Sequence, residues 1–361
     1  MRICIASDAW EPQTNGVVTT LKATIGKLGE MGHEVRVISP QGMWSIPAPS
    51  YPEIRLALTP WFQIARAIQS FRPHAIHIAT EGPIGVATRR YCRRHKLPFT
   101  TAYHTKYPEY LNARWPIPLS VSFAWLRGFH NASVRTFVSA NSLRNELSSR
   151  GFEHLHRWQR GVNLELFRPV SGPLPAELAG VPRPIMAYMG RVAIEKNIEA
   201  FLGAKVPGTK LVIGNGPARE ALSKSHPDAL FIGFRYGDEL AAMLSAADVF
   251  VFPSLTDTFG LAMIEALACG VPVAAFPVPG PIDVLEPGVT GVLNEDLATA
   301  IQGALSLNRQ VCAERAKAFT WEAATEQFLE GLAPIPANAR AALPASGSAI
   351  IANNGGQKEP V

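Results

Sequence analysis

Apolar residues along this chain form short runs that alternate with longer segments of helical character. In the first half, the runs predict strands at 2–6, 35–38, 75–78, 99–102 and 136–139, with a helix over 17–31. The pattern starts again after a proline-rich stretch, with strands predicted at 185–189, 211–213, 230–232, 249–252 and 271–276. Strands that alternate with helices indicate parallel, doubly wound sheets. The pattern therefore predicts an α/β protein with two Rossmann-like domains that face each other across a cleft.

The length of 361 residues also favours two domains over one. Prolines and turn residues concentrate between 169 and 184, as is typical of a linker. We expect a first domain at 1–169, a linker at 170–184 and a second domain at 185–318.

The most informative stretch is 249–276, which has the form strand, polar loop, apolar helix, glycine stop, strand. The helix is predicted over 259–269, and within 261–269 every residue except Glu265 is apolar. A helix that is apolar all round is buried, so a carboxylate on it has to be paired or hydrogen-bonded. Glu265 is the strongest single indication of function in the sequence.

Ligands of doubly wound sheets bind beyond the carboxyl ends of the strands, which directs attention to three loops of the first half. Gly16 precedes a helix without a G-x-G-x-x-G pattern, so a dehydrogenase is not indicated and a simple turn is favoured. Glu81 is either a carboxylate at a helix start, which we favour, or a contact for a polar ligand. His104 follows a buried strand, and a structural and a functional role are equally supported.

In the second half, Arg191 and Lys196 bracket a predicted helix start at which Asn197 is the expected N-cap. Cations are unfavourable at this end of a helix unless an anion binds there. We therefore favour a phosphate clamp over two exposed cations partly neutralised by Glu195. Two more strand-end loops, 214–217 with Asn215 and 233–237 with Phe234, complete the predicted pocket.

The net charge of +5 changes this picture in one respect, because many of the cations cluster at 89–96. A solvated basic face explains the cluster by itself, and attraction to anionic lipid headgroups is the sharper alternative. The segment 107–129 then interleaves Arg114 and Arg127 with aromatic residues, which suits either core packing or a membrane interface. The aromatic residues are Tyr107, Tyr110, Trp115, Phe123, Trp125 and Phe129. No nucleic-acid-binding motif accompanies the charge.

The remaining composition suggests a reducing compartment. Four widely spaced cysteines argue against a disulfide framework or a metal cage, and no run of apolar residues is long enough to span a membrane. The first residues run straight into a strand rather than into a signal peptide. We expect a cytoplasmic protein, peripheral to the inner face of the membrane if it contacts one, without a metal cofactor.

Six motifs together resemble retaining glycosyltransferases of family 4, which have the GT-B fold. They are NGVVTTL from Asn15, YHT from Tyr103, RGVNLELFRP from Arg160, GRVAIEKN from Gly190, GNGP from Gly214 and DTFGLAMIEALACGVPV from Asp257. The resemblance extends to about residue 332. It implies that a helix at 319–332 returns to the first domain, and residues 333–361 are expected to form a disordered tail.

The resemblance also implies roles for individual residues. Arg191 and Lys196 would bind the donor diphosphate, and Glu265 would accept hydrogen bonds from the ribose hydroxyls. The backbone N–H groups of Phe259, Gly260 and Leu261 would contact sugar or phosphate. His104 and Asp257 would contact the transferred sugar, and Gly16 would approach phosphate or acceptor. The backbone near Phe234 would hold the base, and Asn215 would also bind the donor.

At Asp257 the chain departs from the family, because most members carry glutamate there; Asn163 replaces the usual aspartate. The implied reaction moves a sugar from a nucleotide sugar, with a UDP-sugar favoured, to an acceptor hydroxyl. The preferred acceptor is a membrane lipid such as diacylglycerol. A GDP-mannose donor and a soluble acceptor are alternatives. A non-catalytic sugar-nucleotide-binding subunit and a GT-B epimerase are the readings from other classes.

Overall fold

The structure is a computed structural model that describes residues 1–13, 15–48, 51–58, 61–114 and 117–344. Tyr110, Arg114 and Trp115 of the predicted interfacial segment have side chains outside the described residues, as does the end of the predicted tail. Among the residues described, no helix is both long and apolar enough to cross a bilayer.

The first domain is built on a sheet of six parallel strands. Its strands are β1 (Arg2–Ala6), β2 (Glu34–Ile38), β5 (Ala75–Ile78), β6 (Thr100–Tyr103), β7 (Arg135–Val138) and β8 (Leu155–Arg157), and an antiparallel ribbon of β3 (Ser45–Ala48) and β4 (Tyr51–Ala57) is inserted after β2. The spatial order is β2-β1-β5-β6-β7-β8. The connecting helices are α1 (Gly16–Glu30), α2 (Trp61–Phe71), α3 (Pro83–Arg94), α4 (Tyr107–Arg114), α5 (Leu119–His130) and α6 (Asn141–Ser149).

The second domain repeats this architecture. Its strands are β9 (Ile185–Met189), β10 (Thr209–Ile213), β11 (Leu230–Gly233), β12 (Val249–Phe252), β13 (Val273–Ala275) and β14 (Gly291–Leu293), in the order β11-β10-β9-β12-β13-β14. Its helices are α7 (Ile198–Gly203), α8 (Arg219–Ser225), α9 (Gly237–Ala246), α10 (Leu261–Ala268), α11 (Pro281–Val284), α12 (Leu297–Ala304) and α13 (Arg309–Ala316). The prediction of two doubly wound α/β domains is confirmed. The ribbon and the short edge strands β8 and β14 were not predicted.

Each sheet has one point at which the strand order reverses. In the first sheet the chain moves from β1 to β2 on one side and later to β5 on the other, so the reversal lies between β1 and β5. In the second sheet the corresponding neighbours are β9 and β12. The loops that leave two such strands diverge and open a crevice, which is where ligands of this fold class bind.

A late helix, α14 (Trp321–Gly331), returns to the first domain, as predicted. Phe328 is fully buried there and stacks on Phe137 with ring centroids 5.4 Å apart. At the other end of the helix, Glu322 pairs with Lys27 of α1 at 2.6 Å. The helix therefore belongs to the core of the first domain.

The prediction of a disordered tail from residue 333 is wrong for 333–344. Pro334 forms a bridge with Ala75, and the Ile335 N–H donates to the His74 carbonyl at 2.7 Å. A short helix, α15 (Ala337–Ala341), follows, and Leu343 is buried. The low sequence complexity hid three apolar anchors, Ile335, Leu343 and the partly buried Ala339, that pack against the first sheet's outer layer.

Candidate active site

The loop at 253–260 connects β12 to α10 and carries Asp257, which pairs with Lys196 of the loop after β9. Asp257 accepts an ion-paired hydrogen bond from Lys196 at 2.5 Å, and about a fifth of each side chain is exposed. The Thr256 hydroxyl donates to the Glu195 carbonyl at 3.3 Å. The pair thus lies in the crevice between β9 and β12, and two residues predicted to contact different parts of a ligand contact each other.

The predicted N-cap role of Asn197 is wrong in its mechanism. Asn197 directly precedes α7, but it adopts a left-handed conformation with φ of 51° and makes no side-chain cap. Its amide instead donates to the Pro253 carbonyl at 3.0 Å. Asparagine tolerates this backbone region better than most residues. The asparagine therefore fastens the loop of Lys196 to the loop of Asp257.

Arg191 lies earlier in the same loop and is partly buried. The Tyr188 hydroxyl donates to its backbone carbonyl at 2.7 Å. The neighbouring 214–217 loop packs closely here, because a Cβ on Gly214 would lie 1.9 Å from the Gly190 carbonyl oxygen. Asn215 accepts a backbone hydrogen bond from Val192 at 2.9 Å. The two glycine-containing loops form one rim of the crevice.

Glu265 on α10 is partly exposed, and its pKa is raised to about 7 because burial disfavours the charged form. Among the residues that the structure describes, none donates a hydrogen bond to its carboxylate. The sequence predicts a pairing or hydrogen-bonding partner for this carboxylate, and the described protein groups do not supply one. The side chain keeps its full acceptor capacity for another molecule.

The start of α10 is shaped by Gly260, whose φ of 90° strains any residue with a Cβ. A Cβ there would also lie 2.8 Å from the Phe252 ring and 2.7 Å from the Met263 methyl group. The next residue, Leu261, approaches to 3.5 Å from the Cβ position of Gly16. Gly16 is the first residue of α1, so the N-termini of a helix from each domain meet in the cleft.

His104 projects from the carboxyl end of β6 and is held by both domains. Arg160 donates to its Nδ1 at 3.2 Å, and its Nε2 is buried without a described partner. Burial first, then the Arg160 charge, lowers the pKa of His104 well below its usual range. From the second domain, the Thr258 hydroxyl donates to the His104 carbonyl at 2.8 Å.

Three further residues near this junction were missed by sequence reasoning. The Ser139 hydroxyl donates to the Thr258 carbonyl at 2.8 Å, and Asp283 accepts from the backbone N–H of Ser142 at 3.0 Å. Asp283 thereby caps α6 across the domain boundary, where no local side chain does so. Ser139 and Ser142 flank the end of β7, and that position was the available signal.

The remaining predicted positions lie farther out on the second domain or away from the cleft. Phe234 is exposed and stacks on Tyr236 with ring centroids 6.0 Å apart. Glu81 is buried and pairs with His130 at 3.1 Å, so its predicted role as a helix-start carboxylate is wrong. Within the described ranges, no three His, Cys, Asp or Glu side chains gather in a group that could hold a metal ion.

Known proteins share this sequence pattern and geometry. Residues 14–166 match the family described as Glycosyltransferase Family 4, and residues 183–307 match Glycosyl transferases group 1. A GDP-mannose-dependent alpha-mannosyltransferase of Mycobacterium tuberculosis is 30% identical over 81% of this chain and 83% of its own length. The sulfoquinovosyl transferase SQD2 of Arabidopsis thaliana is 30% identical over 83% of this chain and 67% of its own length.

Solved structures show the same two-domain fold. Sucrose-phosphate synthase from Thermosynechococcus elongatus superposes with a TM-score of 0.71 at 22% identity, covering 91% of this chain and 97% of its own. Anabaena HepE in complex with UDP and glucose superposes with a TM-score of 0.67 at 15% identity, covering 91% and 98%. The chain belongs to glycosyltransferase family 4 and is a glycosyltransferase with the GT-B fold.

Proposed function

We propose that this enzyme transfers a sugar from a nucleoside diphosphate to a hydroxyl group of a membrane lipid, with retention of the anomeric configuration. The observation that carries the proposal is the 253–260 loop, which is bonded to both sides of the cleft. Asp257 pairs with Lys196 in the second domain, and Thr258 is bonded to His104 in the first. A reaction between ligands held by two domains needs such a junction to align them.

The donor site follows from the charges around this loop. Lys196 and Arg191 are proposed to bind the diphosphate; the Lys196 ammonium has three N–H donors and can hold Asp257 and a phosphate oxygen together. Glu265 is proposed to accept hydrogen bonds from both ribose hydroxyls. This role explains why its carboxylate has no partner among the described protein groups. The backbone N–H groups of Phe259 to Leu261, at the N-terminus of α10, add helix-dipole stabilisation of negative charge.

The proposed reaction depends on stabilising the diphosphate leaving group, and it needs no side chain that acts as a dedicated base. The bond between the anomeric carbon and the diphosphate oxygen breaks, and the acceptor oxygen bonds to the same face of that carbon. The acceptor proton passes to the leaving phosphate. Lys196, Arg191 and the helix N-terminus lower the energy of the charge that develops on the diphosphate. His104 and Asp257 are proposed to orient the sugar.

Two donors are candidates. The sequence favours a UDP-sugar, and similarity to the GDP-mannose-dependent mycobacterial relative favours GDP-mannose. Asp257 argues against assigning the donor from relatives alone, since most family members have a glutamate that reaches one methylene further. Its pairing with Lys196 directs this shorter carboxylate toward the phosphate side of the site.

The proposal of a lipid acceptor is based on the residues exposed on one face of the first domain. On α3, the exposed residues Val86, Arg90, Arg93 and Arg94 share one side of the helix. Trp61 lies under the Arg90 guanidinium at 5.7 Å, and Phe62 beside it is 63% exposed. Apolar rings beside cations suit the interface of an anionic bilayer.

Helix α5 extends this face. Arg89 of α3 donates to the carbonyls of Gly128 and Phe129, which joins the two helices. Trp125 is 54% exposed on α5, whereas Phe123 and Phe129 are buried. The predicted interfacial segment therefore divides between core and surface. We call the exposed surface of α2, α3 and α5 around Phe62, Arg93, Arg94 and Trp125 the basic aromatic face.

A donor panel tests the proposed reaction. The purified enzyme is incubated with UDP-, GDP- and ADP-sugars and total membrane lipids, and products are identified by mass spectrometry and their anomeric configuration by NMR. We expect one donor to give a lipid whose mass increases by one sugar, with retained configuration. Product on a water-soluble acceptor alone would contradict the lipid proposal. Absence of both transfer and donor hydrolysis would favour a non-catalytic binding subunit.

Vesicle sedimentation tests the basic aromatic face. We expect binding to phosphatidylglycerol vesicles at low salt, weakened about 30-fold by the double variant Arg93→Gln/Arg94→Gln, at about 1 kcal/mol per cation. The matched control is Arg144→Gln/Arg157→Gln, at two exposed arginines off this face. Equal binding by both double variants would contradict the assignment.

A further inference from the structure

Arg160 is a buried cation whose partners are unusual. Its residue is 4% exposed, and among the described residues it forms no ion pair with a carboxylate. One terminal nitrogen donates to the carbonyls of Trp158 at 2.6 Å and Gln159 at 3.3 Å. The guanidinium also lies over the Trp158 ring, 4.5 Å from its centroid. A buried charge with only neutral partners is unfavourable for folding, which calls for another reason to keep it.

The other terminal nitrogen, Nη2, contacts the imidazole of His104. A guanidinium has N–H donors and no acceptor, so Nδ1 of His104 has to be the acceptor in this 3.2 Å contact. The ring proton of a neutral imidazole then lies on Nε2. That atom is buried, and no described protein group accepts from it.

Among the described groups around His104, Arg160 is the one that can select between the two imidazole tautomers. The titratable or charged groups that act on the imidazole are Arg160, His77 and His130, and no carboxylate is among them. His77 is itself uncharged, because burial lowers its pKa to about 3. The Trp158 ring, 5.6 Å from that of His104, is not a charged partner. Without Arg160, neither ring tautomer would be selected by a charge-assisted bond.

We propose that Arg160 is a positioning residue that fixes His104 as the neutral Nε2–H tautomer, so that His104 donates a hydrogen bond to an oxygen of the transferred sugar. The inference rests on the proposed function for the identity of that oxygen only. The tautomer itself follows from the donor and acceptor chemistry of the two side chains. Because Arg160 is buried behind the ring, it acts on the substrate through His104.

The direct test is nitrogen NMR of the ligand-free enzyme with ¹⁵N-labelled histidine, in which His104→Gln identifies the His104 signals. We expect wild-type His104 to show the Nε2–H pattern at pH 7 and no protonation down to pH 5. In Arg160→Met, we expect mixed tautomers or protonation within that range. Arg157→Met, an exposed arginine three positions earlier, is the control and should match the wild type.

An Nδ1–H tautomer in the wild type, or wild-type behaviour in a folded Arg160→Met, would overturn the proposal. The wild-type spectrum decides the first point even if the variant does not fold. This measurement needs no substrate, so its failure is distinct from failure of the proposed reaction.

Kinetics provide the second readout. In Arg160→Met we expect kcat to fall about 10- to 100-fold, as for loss of a hydrogen bond to a bound polar group, while the KM for the donor changes little. The pH profile should gain an acid limb that the wild type and Arg157→Met lack. Arg160→Lys keeps the charge and should retain the wild-type profile. An unchanged kcat in Arg160→Met would contradict the positioning role.

Discussion

The two crevices of this enzyme occupy corresponding places in their sheets, and they differ in whether protein groups hydrogen-bond the carboxylate beside them. Between β1 and β5, the Asp8 carboxylate accepts from the backbone N–H groups of Ile84 at 2.9 Å and Gly85 at 3.2 Å. The Thr80 hydroxyl donates to it at 2.9 Å. Asp8 is therefore the carboxylate at the start of α3 that was attributed to Glu81.

The crevice of the second domain holds the partly exposed Lys196–Asp257 pair, and the helix that follows β12 carries the Glu265 carboxylate, to which no described residue donates. Burial raises the pKa of both Asp8 and Glu265. The two carboxylates differ in their hydrogen bonds. Protein N–H and O–H groups donate to Asp8, and none of the described groups donates to Glu265. The same topology thus supports folding in one domain and, in the proposed function, ligand binding in the other.

The largest expected effect concerns the stability contributed by Asp8. Asp8→Ala should lower the free energy of unfolding by about 3 kcal/mol, because two buried N–H groups lose their acceptor. Urea unfolding followed by circular dichroism measures this loss. The control is Asp228→Ala, at an exposed aspartate. A loss below about 1 kcal/mol would remove the contrast with the second domain.

Glu265→Gln should weaken donor binding and leave stability intact, in contrast to Asp8→Ala. Affinity for the donor's nucleoside diphosphate should fall about 30-fold, or about 2 kcal/mol, since an amide cannot accept two hydroxyl hydrogen bonds as a carboxylate does. Stability at pH 8 should be unchanged or higher, because a buried charge is removed. Calorimetric titration and urea unfolding measure the two quantities, with exposed Glu330→Gln as control. A destabilised variant with normal affinity would assign Glu265 to the fold.

The pH dependence of binding sharpens the same point. The folded pKa of Glu265 is raised to about 7 from an ordinary value of 4.5, so its protonated form predominates below pH 7. Its contribution to stability is fully present below pH 4.5 and is lost as the pH rises through 7. In the proposed ribose contact, the ionised form of Glu265 accepts both hydroxyl hydrogen bonds.

We therefore expect nucleoside diphosphate affinity to fall by up to about 10-fold per pH unit below pH 7, an effect of about 1.4 kcal/mol. Phosphate protonation contributes equally in wild type and in Glu265→Gln, so the difference between their profiles isolates Glu265. Parallel profiles would contradict the assignment of the ribose contact.

The smallest expected effect belongs to the junction between the domains. Thr258→Val removes the bond to the His104 carbonyl and should lower kcat/KM about fivefold, or about 1 kcal/mol. Nucleoside diphosphate affinity should not change, because the proposed contacts to it lie in the second domain. Ser139→Ala, which removes the bond to the Thr258 carbonyl, should act in the same direction. A loss of affinity in Thr258→Val would show that the loop serves the donor alone.

The periodic parts of this molecule could be predicted and the pairings could not. Alternating runs placed most strands within one or two residues, and an apolar helix with one carboxylate singled out Glu265. By contrast, Asn197 has the sequence of an N-cap but takes a left-handed backbone and donates to Pro253. The segment 333–344 is simple in composition, mostly alanine and proline, yet Pro334 and Ile335 bond to the start of the central strand β5 and order it.

The sequence alone determined the fold class and the place of Glu265 on an otherwise apolar helix, and it singled out Arg191 and Lys196 as a predicted clamp, because each depends on local periodicity and composition. The tertiary structure decided which charges meet. Lys196 and Asp257 are 61 positions apart, and they pair because β9 and β12 are neighbours in the sheet. Arg160 and His104 are 56 positions apart, and they meet because the loops after β6 and β8 leave the same edge. Such contacts depend on strand order, which no local pattern encodes.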